Sequence, residues 1–285
     1  MKSKMRSNNK PQTILITGAS TGIGLYLASY LAENGNLVYA GARKDGDIAE
    51  LSKIQNVIGI KLDVTNEEEV SSAKEMILQK SDHIDVLVNN AGIVGWGAVI
   101  DRDLEYYKSV FEVNLFGSIQ MVKTFYPLLK ASPNKPIIIN VSSQGGSYTF
   151  PFWTPYSMTK YALESFSEGL RRELHSQGIR VSVIKPGAIT SKAFEKQTNS
   201  FEAYKENYDS VFSNSAAKFF RMALERPVKK EKSPILVAKD IEHAIFSKKS
   251  RRYYHPGRRL TPDIIASKLP LRIVDRIIEK MLNAL

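Results

Sequence analysis

A tyrosine and a lysine stand four residues apart in the stretch TPYSMTK, as Tyr156 and Lys160. On a helix that spacing puts both side chains on one face, one turn apart. A phenol with an unperturbed pKa of about 10 is a weak base at neutral pH, but a neighbouring ammonium favours the phenolate and lowers that value. Such a pair can hand a proton to a developing alkoxide, or take one from an alcohol. An ordinary surface pair would show the same spacing, so the pair needs company. A second chemical feature is TGASTGIG, residues 17–24, which follows the apolar run QTILIT and leads straight into a helical pattern. Gly18, Gly22 and Gly24 lack β-carbons, so backbone can come close to a ligand. The first N–H groups of the helix and its positive dipole end suit a phosphate, and Ser20 and Thr21 add hydroxyls. The spacing differs from the G-x-G-x-x-G of the common dinucleotide fold.

The elements that must position these residues alternate along the chain. QTILIT, NLVYAGA, NVIGIKL, DVLVNN, KPIIINVSS and IRVSVIKPG are strand-sized and rich in valine and isoleucine. Between them lie helical patterns: GLYLASYLAENG, NEEEVSSAKEMILQK, a long stretch from about Leu104 to Leu129, and YSMTKYALESFSEGLRRELHSQG. Strands apolar throughout suit a parallel sheet covered on both faces, and the rhythm predicts an α/β fold with right-handed crossovers. A single domain is expected over residues 12–285, after a flexible basic segment at 1–11. Within 188–234 the aromatics Phe194, Phe201, Tyr204, Tyr208, Phe212, Phe219 and Phe220 recur at helical spacing. They read either as a stripe packed on the core or as a lid lining a substrate pocket. ILVAKDIEHAIFS reads as a further helix, and a basic amphipathic extension is expected over 256–285.

Bulk properties narrow the function classes. The chain has no cysteine, which excludes disulfides, thiolate metal sites and cysteine nucleophiles. No metal site is expected. No apolar run is long enough for a signal peptide or a membrane span, so a cytoplasmic location is expected. The net charge of +11 comes mostly from the end: residues 226–285 carry 15 Lys/Arg against 6 Asp/Glu. No nucleic-acid motif accompanies that charge. The basic tail reads as a solvated or packed extension, with peripheral contact to an anionic membrane as an alternative, and an acidic carrier protein as a third.

TGASTGIG, NNAG at 89–92, Asn114, NVSS at 140–143 and the Tyr156/Lys160 pair together resemble the short-chain dehydrogenases/reductases, in order and spacing, over about residues 12–192. The resemblance implies a Rossmann-type domain with a doubly wound, seven-stranded parallel sheet, assembled into dimers or tetramers. It also implies a catalytic tetrad. Tyr156 would be the acid/base, and Lys160 would tune it and bind the nicotinamide ribose. Ser143, thirteen residues before the tyrosine, would hold the carbonyl oxygen, and Asn114 would hold a water in a proton relay. Ser142 is read as a strand-end hydroxyl bonded to backbone. For the cofactor it implies the glycine turn with Ile23, Asp63 and Val64 beside the adenine, and Asn90, Ala91 and Gly92 beside the ribose. Asn89 is expected to be more structural. Pro186 and Gly187 lead to Ile189 and Ser191, which would anchor the carboxamide, with serine where the family has threonine.

An acidic residue at the tip of the second strand would bind both ribose hydroxyls of NAD. Here the tip is Ala42, followed by Arg43 and Lys44, which favours NADP(H) through pairing with the 2′-phosphate. Asp45 and Asp47 leave NAD(H) as the alternative. Ile93, Val94, Trp96, Phe150, Phe152 and Trp153 promise an apolar pocket, hence a lipophilic ketone, aldehyde or alcohol, and the C-terminal extension resembles the steroid- and retinol-dehydrogenase branch. The rival of another class is a nucleotide-sensing protein without turnover, which would not require the tetrad.

Overall fold

The computed structural model describes residues 10–187, 189, 211–212, 214–217, 233–256 and 269–283, the last three without their side chains. Its elements are β1 (Thr13–Ile16), α1 (Gly22–Glu33), β2 (Leu37–Ala42), α2 (Asp45–Ser52), β3 (Val57–Lys61), α3 (Glu67–Leu78), β4 (Val86–Asn89), α4 (Leu104–Phe111), α5 (Gly117–Lys130), β5 (Ile137–Val141), α6 (Thr154–Glu173), β6 (Arg180–Ile184), α7 (Ile235–Phe246), β7 (Tyr253–Tyr254) and α8 (Leu271–Asn283). The strands form one seven-stranded sheet in the order β3-β2-β1-β4-β5-β6-β7, parallel at every pairing. This is the α/β fold that the alternation predicts, in the doubly wound, seven-stranded form that the resemblance implies. Its strand order reverses between β1 and β4, where such sheets bind ligands at their carboxyl ends.

Each of β1 to β6 feeds two cores because successive side chains point to opposite faces. Ile14 and Ile16 of β1 join Leu27 and Leu31 of α1 and Ile241 of α7 on one face. Leu15 joins Val70 and Ile77 of α3, Phe125 of α5 and Leu170 of α6 on the other. That two-sided burial explains why the strands read as continuous apolar runs. A buried polar ladder fixes the register in the middle: Asn89 faces Asn140 across β4 and β5. Asn89 Nδ2 donates to Asn140 Oδ1 at 2.9 Å, and Asn140 Nδ2 donates to Ser167 Oγ of α6 at 2.8 Å.

Three elements depart from expectation. The stretch from Leu104 to Leu129 is interrupted by a π-helical segment at Glu112–Phe116 between α4 and α5. A helix that the apolar pattern does not mark, α2, opens with Asp45 and Asp47. The seventh strand is only the pair Tyr253–Tyr254, too short to show any periodicity. The tail forms α8, which leaves Leu271, Ile273 and Ile277 exposed. No helix among the described residues is long and apolar enough to cross a membrane.

Candidate active site

The glycine turn is built against the loop after β4. Gly18 and Gly22 have φ of 63° and 60°, in the left-handed region that favours glycine. A β-carbon on Gly18 would lie 2.8 Å from Cα of Ala91, and one on Gly24 would clash with the carbonyl oxygen of Gly18. Thr17 Oγ1 accepts from the backbone N–H of both Asn90 and Ala91 at 3.0 Å, and Asn90 Nδ2 donates to the carbonyls of Thr17 and Gly18. Asn90 therefore fixes the turn with its side chain. Thr21 stands at the N-cap of α1 without a capping side-chain bond, and the first turn carries no acidic residue. By contrast α3 is capped by Asn66 and opens with three glutamates. The first N–H groups of α1, beside the half-buried Ser20, Thr21 and Ile23, thus fit a phosphate. Close-packed backbone and an acid-free helix start are the features by which these residues suit a dinucleotide.

At the tip of β2, Arg43 Nη1 lies 3.8 Å from Asp63 Oδ2. Its guanidinium side chain is 66% exposed, and exposed pairs of this kind contribute at most about 1 kcal/mol. Lys44 is the N-cap of α2, and Asp45 pairs with Lys61 at 3.5 Å. Asp63 Oδ1 accepts from the backbone and hydroxyl of Thr65. Val64 is buried against Gly117, whose added β-carbon would meet it at 2.5 Å.

The tetrad converges at the carboxyl ends of β4 and β5. Pro155 starts α6 in its first turn, a position where the missing N–H is harmless. Tyr156 and Lys160 follow on the face turned to the sheet. Ser143, at the end of β5, stands near enough to Tyr156 to pull its phenol pKa down, and its hydroxyl accepts from Gly145 N at 3.2 Å. Ser142 is the exception to expectation: its hydroxyl donates to the Glu164 carboxylate at 2.7 Å and not to backbone. Lys160 Nζ donates to the carbonyl of Val141 at 3.0 Å and lies 5.5 Å from the centre of the Tyr156 ring. Asn114 sits in the π segment, fully buried. Its Oδ1 accepts from Ile93 N at 2.8 Å, while its Nδ2 donates to Ile93 O and to Thr159 Oγ1. The widened turn, a form common at functional sites, thereby ties α4–α5 to α6 and to the loop after β4. Gly92 closes the group: a β-carbon there would meet Asn114 Oδ1 at 3.2 Å and Lys160 Nζ at 3.7 Å.

The electrostatics run against the simplest expectation. Desolvation pushes the Tyr156 phenol above its ordinary value, with the Ser143 hydrogen bond opposing. Burial likewise lowers the Lys160 ammonium to about 8, with Glu164 opposing. In this state the lysine serves the Val141 carbonyl.

An aromatic wall leads to Tyr156. Tyr148 meets Phe150 edge-on at 4.5 Å, Phe150 meets Trp153 at 5.8 Å, and Trp153 meets Trp96 at 5.0 Å and Tyr156 at 6.3 Å. Phe152, whose φ of 65° is rare for a bulky residue, packs near Phe212. Ile93 is partly exposed at the loop. Beyond β6, the Pro186 carbonyl accepts from Gln144 N, Gly187 follows it, and Ile189 packs on the core. Ser191 and the other aromatics of 188–234 lie outside the described residues.

The comparisons agree with this geometry. The short chain dehydrogenase family matches residues 12–202. The chain is 39% identical over 186 residues to mouse mitochondrial D-beta-hydroxybutyrate dehydrogenase, covering 62% of this chain and about half, 54%, of that protein. It is 32% identical over 289 residues to mouse estradiol 17-beta-dehydrogenase 2, covering 94% and 74%. It is 36% identical over 200 residues to a 3-ketodihydrosphingosine reductase of Bacteroides thetaiotaomicron, covering 70% and 72%. Among solved folds, a short chain dehydrogenase/reductase from Burkholderia phymatum in complex with NAD superposes with a TM-score of 0.78 at 22% identity, covering 94% of this chain and 95% of that one. One from Burkholderia cenocepacia in complex with NADP gives 0.72 at 24% identity, covering 94% and 98%. With its glycine turn, its tetrad and these relatives, the chain belongs to the short-chain dehydrogenase/reductase family of NAD(P)-dependent oxidoreductases, on its steroid-dehydrogenase-like branch.

Proposed function

We propose that the protein interconverts a lipophilic ketone or aldehyde and the corresponding alcohol with NADP(H). The observation that carries the chemistry is the meeting of Ser143, Tyr156 and Lys160 beside the glycine turn. A nicotinamide cofactor, when bound, supplies the hydride in reduction and accepts it in oxidation. Ser143 donates a hydrogen bond to the carbonyl oxygen, where negative charge develops. Tyr156 delivers the proton to that oxygen in reduction and recovers it from the alcohol in oxidation. Lys160 stabilises the tyrosinate left behind. Asn114 holds the loop at Ile93 and the start of α6 in place.

The aromatic wall from Tyr148 to Trp153 supports the lipophilic end of the range that the relatives span, from hydroxybutyrate to estradiol and ketodihydrosphingosine. For the cofactor, Arg43 supports NADP(H). It follows Ala42 at the strand tip, and its weak exposed pair with Asp63 leaves the guanidinium available to a 2′-phosphate. NAD(H) is the second reading, since Asp63 brings a carboxylate to the same tip. Paired titrations with NADPH and NADH test this. Arg43→Ala should weaken NADPH binding by about 10- to 100-fold, the worth of one charge-assisted contact, and NADH binding much less. Equal losses would reject the 2′-phosphate assignment, and tighter NADH binding by the wild type would favour the second reading.

A further inference from the structure

Behind the tetrad lies a buried ion pair that the proposed chemistry does not use. Tyr156, Lys160 and Glu164 occupy positions i, i+4 and i+8 of α6, hence one face. Glu164 Oε2 accepts from Lys185 Nζ, just past β6, at 2.6 Å, and its Oε1 accepts from Ser142 Oγ at the end of β5. The two charged side chains are only 14% and 8% exposed. The carboxylate rests on the turn that follows Ser143. A β-carbon on Gly146 would clash with Glu164 Oε1 and would lie 3.0 Å from Ser142 Oγ. Lys185 Nζ reaches toward the Gly146 carbonyl at 3.5 Å. Backbone bonds complete the frame: Ser142 N donates to Ile184 O, and Gln144 N donates to Pro186 O. One carboxylate thus joins α6, the end of β5, the end of β6 and the Ser143 turn.

We propose that Glu164, held by Lys185 and Ser142, is a positioning residue that seats the Ser143 turn and keeps Lys160 charged for its work on Tyr156. A buried ion pair commonly adds little net stability, since desolvation offsets its attraction, so its place here is better explained by what it holds. Among the described residues, Lys160 faces few other ionisable groups. Tyr156 and Glu164 lie on its own helix, the Val141 carbonyl comes from β5, and Gly92 with the neutral Asn114 comes from the β4 side. Glu164 faces Lys160 and Tyr161 on α6, Lys185 beyond β6, and Tyr253 on β7. The negative charge opposes the desolvation that lowers the Lys160 pKa. Its removal must therefore move the Lys160 midpoint to lower pH.

The catalytic consequence rests on the oxidoreductase reading, but the test does not, because it is read in the cofactor-free protein. Lysine labelled with 13C and 15N is followed by NMR through a pH titration, and the Lys160 signal is assigned by its loss in Lys160→Arg. The wild-type midpoint is expected at about 8. Glu164→Gln should lower it by about one pH unit. Ser142→Ala, which removes a hydrogen bond but no charge, should leave it in place. A folded Glu164→Gln protein with an unchanged midpoint would overturn the proposal, as would an equal shift in Ser142→Ala. If Glu164→Gln does not fold, the double variant Glu164→Gln/Lys185→Met removes both buried charges, a change that proteins often tolerate. Its Lys160 midpoint should also fall, and an unchanged value there rejects the idea equally.

Discussion

Tyr156→Phe should lower turnover by about a thousandfold, within the range that general acid–base catalysis contributes, while NADPH and NADH binding stay close to wild type. The ring and its contacts with Trp153 survive the substitution, and only the hydroxyl beside Ser143 is lost. Steady-state rates beside fluorescence titrations separate the two effects. Full activity in the variant would end the acid/base assignment. The direction of the phenol's shift adds a pH signature. Because burial raises its pKa in the free enzyme, Tyr156 holds its proton across neutral pH, which suits reduction. Oxidation needs the phenolate, so its rate should climb as pH rises through the neutral range. A reductive rate that collapses already below neutral pH would contradict this.

Lys160→Met should do two opposite things. Turnover should fall by at least about a hundredfold, because the tyrosinate loses the positive charge one helical turn away. The cofactor-free fold should become more stable near pH 7, by about 2 kcal/mol. Lys160 is lowered by burial from 10.5 to about 8, so holding it charged inside the fold is unfavourable. The lost bond to the Val141 carbonyl returns part of the gain. The sign with pH follows from linkage. Between about 8 and 10.5 the unfolded chain binds more protons than the folded one, so wild-type stability rises there. The advantage of Lys160→Met should therefore be largest below pH 8 and shrink as the pH approaches 10.5. Thermal melts of both proteins from pH 6 to pH 10 measure it, and a gap that grows with pH would refute the assignment.

Much of this was legible in the residues themselves. Apolar runs from QTILIT to IRVSVIKPG located six strands because each is buried on both faces, which leaves no polar alternation to confuse the reading. Glycines 18, 22 and 24 announced the turn because no other residue fits the observed conformations and contacts. What stayed hidden depends on contacts distant in sequence. DGDIAELS gave no helical stripe, since α2 buries only Leu51. The π segment at Asn114 is set by its bonds to Ile93 and Thr159, which periodicity cannot reveal. Glu164 had a signal, its place two turns after Tyr156 on the same face. Its partner Lys185 lies beyond the next strand, and nothing near Ser142 in sequence marks its hydroxyl for a carboxylate rather than for backbone.

The shortest strand has a consequence for how the molecule comes together. β7 contributes two residues to the sheet, yet the chain must travel from 185 to 252 before they can pair with β6. Bringing segments so distant in sequence together carries an entropic penalty, against which stand the buried Tyr254 and bonds such as Lys185 N to Tyr254 O and Val183 N to Arg252 O. We therefore expect this edge to complete the sheet late in folding and to open before the inner strands, which faster amide exchange at Val183 and Lys185 than along the β4–β5 pairing would show. Lys185, whose side chain holds Glu164, has its own backbone N–H bound to that edge. Fraying of β7 would loosen the backbone next to the active site while the inner strands stay closed.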